Sequence, residues 1–100
     1  MATLQEITDR LRGAVGEDAG LGKTLKLDFR TDGCIHVDGG LITNEDKPAD
    51  CILTLTKDDF EALARGRLDP AAALMRGRLK VKGDMAVALR ARELFARSRA

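Results

Sequence analysis

The 100 residues contain no tryptophan and no tyrosine, and three phenylalanines are the entire aromatic complement. Single-stranded nucleic-acid platforms and ring-lined peptide grooves are disfavoured by that shortage, so no nucleic-acid partner is expected. The interior must be assembled from Leu, Val, Ile, Met and Ala. Only one serine is present, Ser98 in the tail, so no Ser-His-Asp constellation exists. The single histidine, His36, alternates outward between Ile35 and Val37 and forms a C-x-H pair with Cys34; Cys51 is the only further thiol. Metal sites use compact, repeated spacings, which this pair lacks. As nucleophile and base, the pair has no third orienting group. It reads as an exposed strand histidine beside a reduced thiol, and two cysteines are too few for a disulfide framework. No apolar run approaches a membrane span. Glu6 and Asp9 remove the acid-poor character of a transit peptide, and the cytoplasm is the expected compartment. The glycines form no phosphate loop, since "GRLDPAAALMRGR" lacks a Gly-Lys-Ser/Thr ending. No carboxylate sits in an apolar run where its pKa would rise for acid–base work. No catalytic residue, metal or cofactor is expected, and the chain does not read as an enzyme.

Hydrophobic residues make up 44% of the chain and charged residues 33%, the balance of one globular domain over residues 1–100. The net charge is +1, but it is unevenly spread. Residues 1–50 carry ten acids against six bases, and residues 51–100 carry six acids against eleven bases. The excess is either part of a solvated, mixed surface or a basic patch that meets an anionic head group or membrane.

Periodicity assigns the elements. Thr3 and Glu6 form a capping box ahead of Leu4, Ile7, Leu11, Ala14 and Val15, which recur at helical spacing up to Gly16. "TLKLDFR" alternates with Leu25, Leu27 and Phe29 on one face, and "CIHVDGG" resumes with Ile35 and Val37 inward. Asp32-Gly33 predicts a hairpin between them, and Gly39-Gly40 a turn into a short third strand, "GLITN". "CILTLT" is a fourth strand with Cys51, Leu53 and Leu55 on one face. Thr56 then caps a helix to about Arg65, with Leu55 and Phe60 as its hydrophobic staple. Asp69-Pro70 caps and opens a short helix stopped by Gly77. "RLKVK" is a fifth strand with Leu79 and Val81 inward. Gly83-Asp84 launches a last helix from Met85 to about Arg97.

That last helix is apolar over more than half its circumference, through Met85, Val87, Ala88, Leu89, Ala91, Leu94 and Phe95. A helix seated on a filled core needs a stripe of only about 100°. Either its alanines widen the arc without consequence, or the helix also meets an apolar ligand, a membrane or a partner chain.

The run from Pro48 to Leu94 resembles the sterol carrier protein 2 (SCP2) family of lipid-binding domains. The resemblance is carried in order by Ala49–Cys51 at a strand entry, an acidic helix start, "ALARGRLDP", and "GRLKVKGDMAVAL". It implies an α+β sandwich in which a five-stranded, mostly antiparallel sheet is covered on one face by about four helices. Between the layers it implies an apolar tunnel for a fatty acid, acyl-CoA, phospholipid or sterol-like ligand. Carried over by position, the walls are Phe60 and Leu63, Leu74 and Met75, and Met85, Ala88 and Leu89; the floor is Leu53, Leu55, Leu79 and Val81. Arg76, Arg90 and Arg92 are candidates for a head group or membrane surface. Leu74 and Met75 stand where family members often carry aromatics, and Ala86 where they often carry glycine, which implies a differently shaped tunnel. The tail Ser98-Arg99-Ala100 lacks the final leucine of a peroxisomal signal. The expected function is non-catalytic lipid binding and transfer. The alternative is an accessory module in lipophilic-metabolite biosynthesis, such as that of a quinone, which docks a partner enzyme or a second copy through the last helix.

Overall fold

Alternating apolar side chains build the five strands of one sheet in the computed structural model, which describes residues 2–98. Arg99 and Ala100, on which the reading of the tail rests, lie outside the described residues. The elements are α1 (Leu4–Val15), β1 (Leu25–Asp28), β2 (Cys34–Asp38), β3 (Leu41–Thr43), β4 (Cys51–Thr54), α2 (Lys57–Ala64), α3 (Pro70–Met75), β5 (Lys80–Gly83) and α4 (Met85–Arg97). The sheet order is β3-β2-β1-β4-β5. Only β1 and β4 pair in parallel; the other three pairings are antiparallel.

Register aligns the inward residues into two rows. Ile42, Val37, Leu25, Cys51 and Gly83 form one, and Ile35, Leu27, Leu53 and Val81 the other. Helices cover this face: Ile7, Leu11 and Val15 of α1, Phe60 and Ala64 of α2, and Val87, Ala91, Leu94 and Phe95 of α4 are buried with the strand residues in one core.

Local chemistry fixes the helix starts. Thr3 Oγ1 accepts from Glu6 N at 3.2 Å, and Glu6 Oε1 accepts from Thr3 N at 3.2 Å, so the capping box is complete. Thr56 Oγ1 accepts from Asp59 N at 3.1 Å, and Asp69 Oδ2 from Ala72 N at 3.1 Å ahead of Pro70. Each satisfies an amide that the helix itself leaves without a partner.

Two local expectations are corrected. The β1–β2 connection is not an Asp-Gly two-residue turn. It is a 3-10 turn over Arg30–Asp32, with Arg30 at φ 60° and Gly33 at φ 104°. Phe29 is buried at its entrance, and Asp28 Oδ1 accepts from Arg30 N at 2.9 Å, so the chain must swing wider before returning. His36 is buried, not exposed. The segment 44–50 crosses the sheet's outer face above it: His36 Nε2 lies 3.1 Å from Pro48 O, and Lys26 Nζ pairs with Asp46 at 2.7 Å. Elsewhere, Arg78 Nε donates to Asp59 Oδ1 at 3.0 Å, tying the α3–β5 turn to the first turn of α2.

Candidate apolar groove

The row Ile35, Leu27, Leu53 and Val81 is buried until it reaches β5, where Val81 is only half-buried. α1 packs against edge strand β3 and against α4, and α2 packs against α4. At the β4–β5 edge the cover comes from the six-residue α3, one side of α4 and Leu63 of α2. A six-residue helix cannot fill that space, and an apolar groove remains. Its cavity is about 70 Å³, widening to about 510 Å³ when the open mouth is counted.

The floor is Leu53, Leu79 and Val81; the walls are Leu63, Pro70, Leu74, Met85, Ala88, Leu89 and Arg92; Phe95 closes the inner end. Phe95 is backed edge-on by Phe60 at 5.0 Å between ring centroids, and Phe60 by Phe29 at 5.9 Å. All three phenylalanines thus form one rigid stop.

Eight apolar residues expected at the site line this groove: Leu53, Leu63, Leu74, Leu79, Val81, Met85, Ala88 and Leu89. Three do not. Leu55 and Phe60 are fully buried behind it, where they form the staple that starts α2. Met75 is 89% exposed, one residue beyond Leu74, and does not line the groove. Among the arginines, Arg92 lines the groove. Arg76 is exposed at the C-cap of α3. Arg90 turns aside: its Nη1 donates to Leu21 O at 2.8 Å and pins the loop ahead of β1. Pro70 and Phe95 were missed. Proline at a helix start carries a local signal that says nothing about its outer ring surface, and Phe95 belongs equally to the core stripe of α4.

The wide apolar arc of α4 divides in two. Val87, Ala91, Leu94 and Phe95 are buried; Met85 and Leu89 stand exposed, with Ala88 half-buried between them. The helix therefore serves the core with one stripe and the groove with the other. Its start is held hard. Asp84 Oδ1 caps Ala86 N at 2.9 Å while Oδ2 takes the Lys23 ammonium at 2.7 Å. Lys23 first, then the Ala86 amide, lowers the Asp84 carboxyl below the usual range. Asp50, from the Ala-Asp-Cys strand entry, accepts from both N and Oγ1 of Thr24 at 2.9 Å. The Thr24 amide holds its pKa down too. These contacts lock the beginnings of β1, β4 and α4 together at one end of the groove.

The groove offers little reactive chemistry. Arg92 is the one charged residue among its described lining. Burial pushes both the Cys34 and Cys51 thiols up, away from thiolate character. Among the described residues, no three His, Cys, Asp or Glu side chains gather as a metal site. No described helix is long and apolar enough to cross a membrane.

The family model of the SCP-2 sterol transfer family matches residues 2–96. Human Sterol carrier protein 2 is 39% identical over 56 residues, which are 56% of this chain and 10% of that protein. Human Hydroxysteroid dehydrogenase-like protein 2 is 38% identical over 80 residues, 80% of this chain and 18% of that protein. This chain therefore matches only a small fraction of the length of these relatives. The crystal structure of Sterol Carrier Protein 2 Like 2 from Aedes aegypti superposes with a TM-score of 0.73 at 20% identity, covering 90% of this chain and 94% of that one. UbiJ-SCP2, a ubiquinone synthesis protein, superposes with a TM-score of 0.61 at 22% identity, covering 89% and 77%. These likenesses establish the fold, and the match over residues 2–96 establishes the lineage: the chain belongs to the SCP-2 sterol transfer family.

Proposed function

We propose that this chain is a non-catalytic carrier of a single-chain amphiphile, with the alkyl tail in the groove and an anionic head group at Arg92. The observation that carries the reading is the groove itself: an apolar slot that opens at one edge of the sheet, with one guanidinium on its wall. A guanidinium matches a carboxylate or phosphate with paired N–H donors. Buried methylenes contribute about 0.8 kcal/mol each. A tail of about fifteen, less association costs of about 4 kcal/mol, leaves about 8 kcal/mol, binding on the order of micromolar. Apolar walls discriminate poorly among chain lengths, so a range of tails should bind.

The resemblance implies a closed tunnel, whereas the observed space is an open-sided groove. Its 70 Å³ cavity admits the first few methylenes only. Seating a whole tail requires the lips, α3 above all, to move outward. Calorimetry with palmitate tests the reading. We expect saturable uptake, and at least about a tenfold loss in Leu89→Arg, whose side chain is 70% exposed and can be replaced without opening the core. No uptake by the unaltered chain, or uptake unchanged in Leu89→Arg, overturns it. The second reading is an accessory module for a lipophilic-metabolite pathway. It draws on the fold likeness to UbiJ-SCP2 and on the same exposed residues of α4. Light scattering with a candidate partner enzyme separates the two: a stable complex in the absence of lipid uptake favours the module.

A further inference from the structure

We propose that the outer edge of β5 is a docking surface for an extended, acidic segment of a partner protein, which adds to the sheet as a sixth strand. The sheet has two edges, and only one is covered. On β3, Arg12 Nε and Nη2 donate to the Ile42 carbonyl at 3.3 and 2.9 Å, and α1 packs alongside. On β5, Lys80, Lys82 and Gly83 are exposed and Val81 is half-buried. The ladder fixes which backbone groups of β5 face outward. Cys51 N turns to Thr24 O on β1, and Asp84 N donates to Asp50 O at 2.8 Å. Bonded and non-bonded pairs alternate in an antiparallel ladder. The bonded pairs are therefore Ile52 with Lys82 and Thr54 with Lys80, and Val81 presents its N–H and C=O to the outside.

Side chains select the occupant. Lys80 and Lys82 stand on the outer face of the sheet, on either side of the groove-floor residue Val81. Lys26, on the same face two strands in, holds Asp46 at 2.7 Å. Lys80 and Lys82 pair with no carboxylate among the described residues. In a strand laid against β5, the side chains opposite the two lysines lie on the outer face, and the one between them faces the helices. The complementary segment thus reads acid-apolar-acid, with carboxylates beside Lys80 and Lys82 and an apolar side chain beside Val81. That side chain extends the row Ile35, Leu27, Leu53 and Val81 by one strand. A second copy is disfavoured, because pairing β5 with itself sets lysine against lysine. The same lysines that blunt self-pairing therefore admit an acidic strand.

The probe is a fluorescein-labelled peptide of alternating Glu and Val, titrated with the chain at low salt and followed by polarisation. Saturable binding is expected. It should weaken at least about tenfold for a Lys-Val peptide, and as much for a Glu-Val peptide N-methylated at its valines, which removes the amides that face Val81. Lys80→Glu combined with Lys82→Glu should reverse the choice and bind the Lys-Val peptide; both lysines are exposed and neither lines the groove. In the unaltered chain the Val81 amide should exchange at least about tenfold more slowly in the complex. No binding, equal binding of the N-methylated peptide, a double variant that still prefers Glu-Val, or an unchanged Val81 amide overturns the proposal. So does a concentration-dependent dimer that protects Val81, since a second copy would then hold the edge. No lipid is added, so failure here leaves the carrier reading untouched, and failure of palmitate uptake leaves the docking edge untouched.

Discussion

Gly83 shows how a single missing side chain holds the end of the sheet together. Its φ is 98°, and a Cβ there would lie 2.2 Å from the Asp50 carbonyl oxygen, which also accepts from Asp84 N at 2.8 Å. Gly83→Ala must therefore push β5 away from β4 while adopting a strained backbone, at a cost of about 1–3 kcal/mol. Gly13 is the opposite case: it sits inside α1, and a methyl group added there would meet nothing within 4 Å. Gly13→Ala should stabilise by about 0.5–1 kcal/mol. Denaturant titration of the two variants should move the midpoint in opposite directions, and a shift of the same sign would refute the argument. At this scale the groove lining was legible wherever a position obeys one period. Leu53, Leu79 and Val81 face the helices because alternation puts them there, and Met85, Ala88 and Leu89 share one stripe. His36 was illegible because its cover, the segment 44–50, comes from elsewhere in the chain and has no periodicity. Phe60 and Met75 lie outside that lining because periodicity tells a residue's face but not its distance from a gap.

Among the helices, α3 is the one least held by burial. It has six residues, and Ala73 is its only buried one. Gly66 and Gly77 flank it at φ 73° and 71°, each with open space around it. Its neighbours are better anchored. Arg10 and Glu61 join α1 to α2, and the Asp59–Arg78 pair clamps the far end of the α3–β5 turn. Stability varies locally with buried contact, and weakly held segments open first. Amide exchange should thus be fastest, among the helices, in Pro70–Met75, and palmitate should alter protection there and in the first turns of α4 more than in α1. Uniform protection across α1 and α3 would exclude α3 as the moving lip. The existence and order of the elements could be read from the sequence because caps, staples and alternation agree locally. What could not be read was how little of the sheet edge α3 covers, since that follows from its length against the width of the sheet.

At the scale of the whole molecule, four carboxylates report on the assembled state. Asp46, Asp50, Asp84 and Glu61 all have lowered pKa values, held by Lys26, Thr24, Lys23 and Arg10 respectively. A depressed carboxylate contributes stability above its unfolded pKa and loses it as pH falls through the folded value. Thermal midpoints should therefore be flat near neutrality and drop below about pH 4. That acid slope should be shallower in Arg10→Ala, where Glu61 loses the foremost of the groups that lower it and keeps Arg65. Ligand acts on the same equilibrium from the other side. A tail seated in the groove binds the folded chain alone, because α4, β5 and α3 come together only on folding. At 100 times the dissociation constant, such a ligand stabilises by about 2.7 kcal/mol. In a domain of this size each kcal/mol raises the midpoint by roughly 4–8 °C. Saturating palmitate should accordingly raise the melting temperature by about 10 °C or more in the unaltered chain. It should do so again in Met75→Asp, which leaves the groove intact, and fail in Leu89→Arg, which fills it. An equal rise in all three chains would mean that palmitate binds somewhere other than between α3, α4 and the β4–β5 edge.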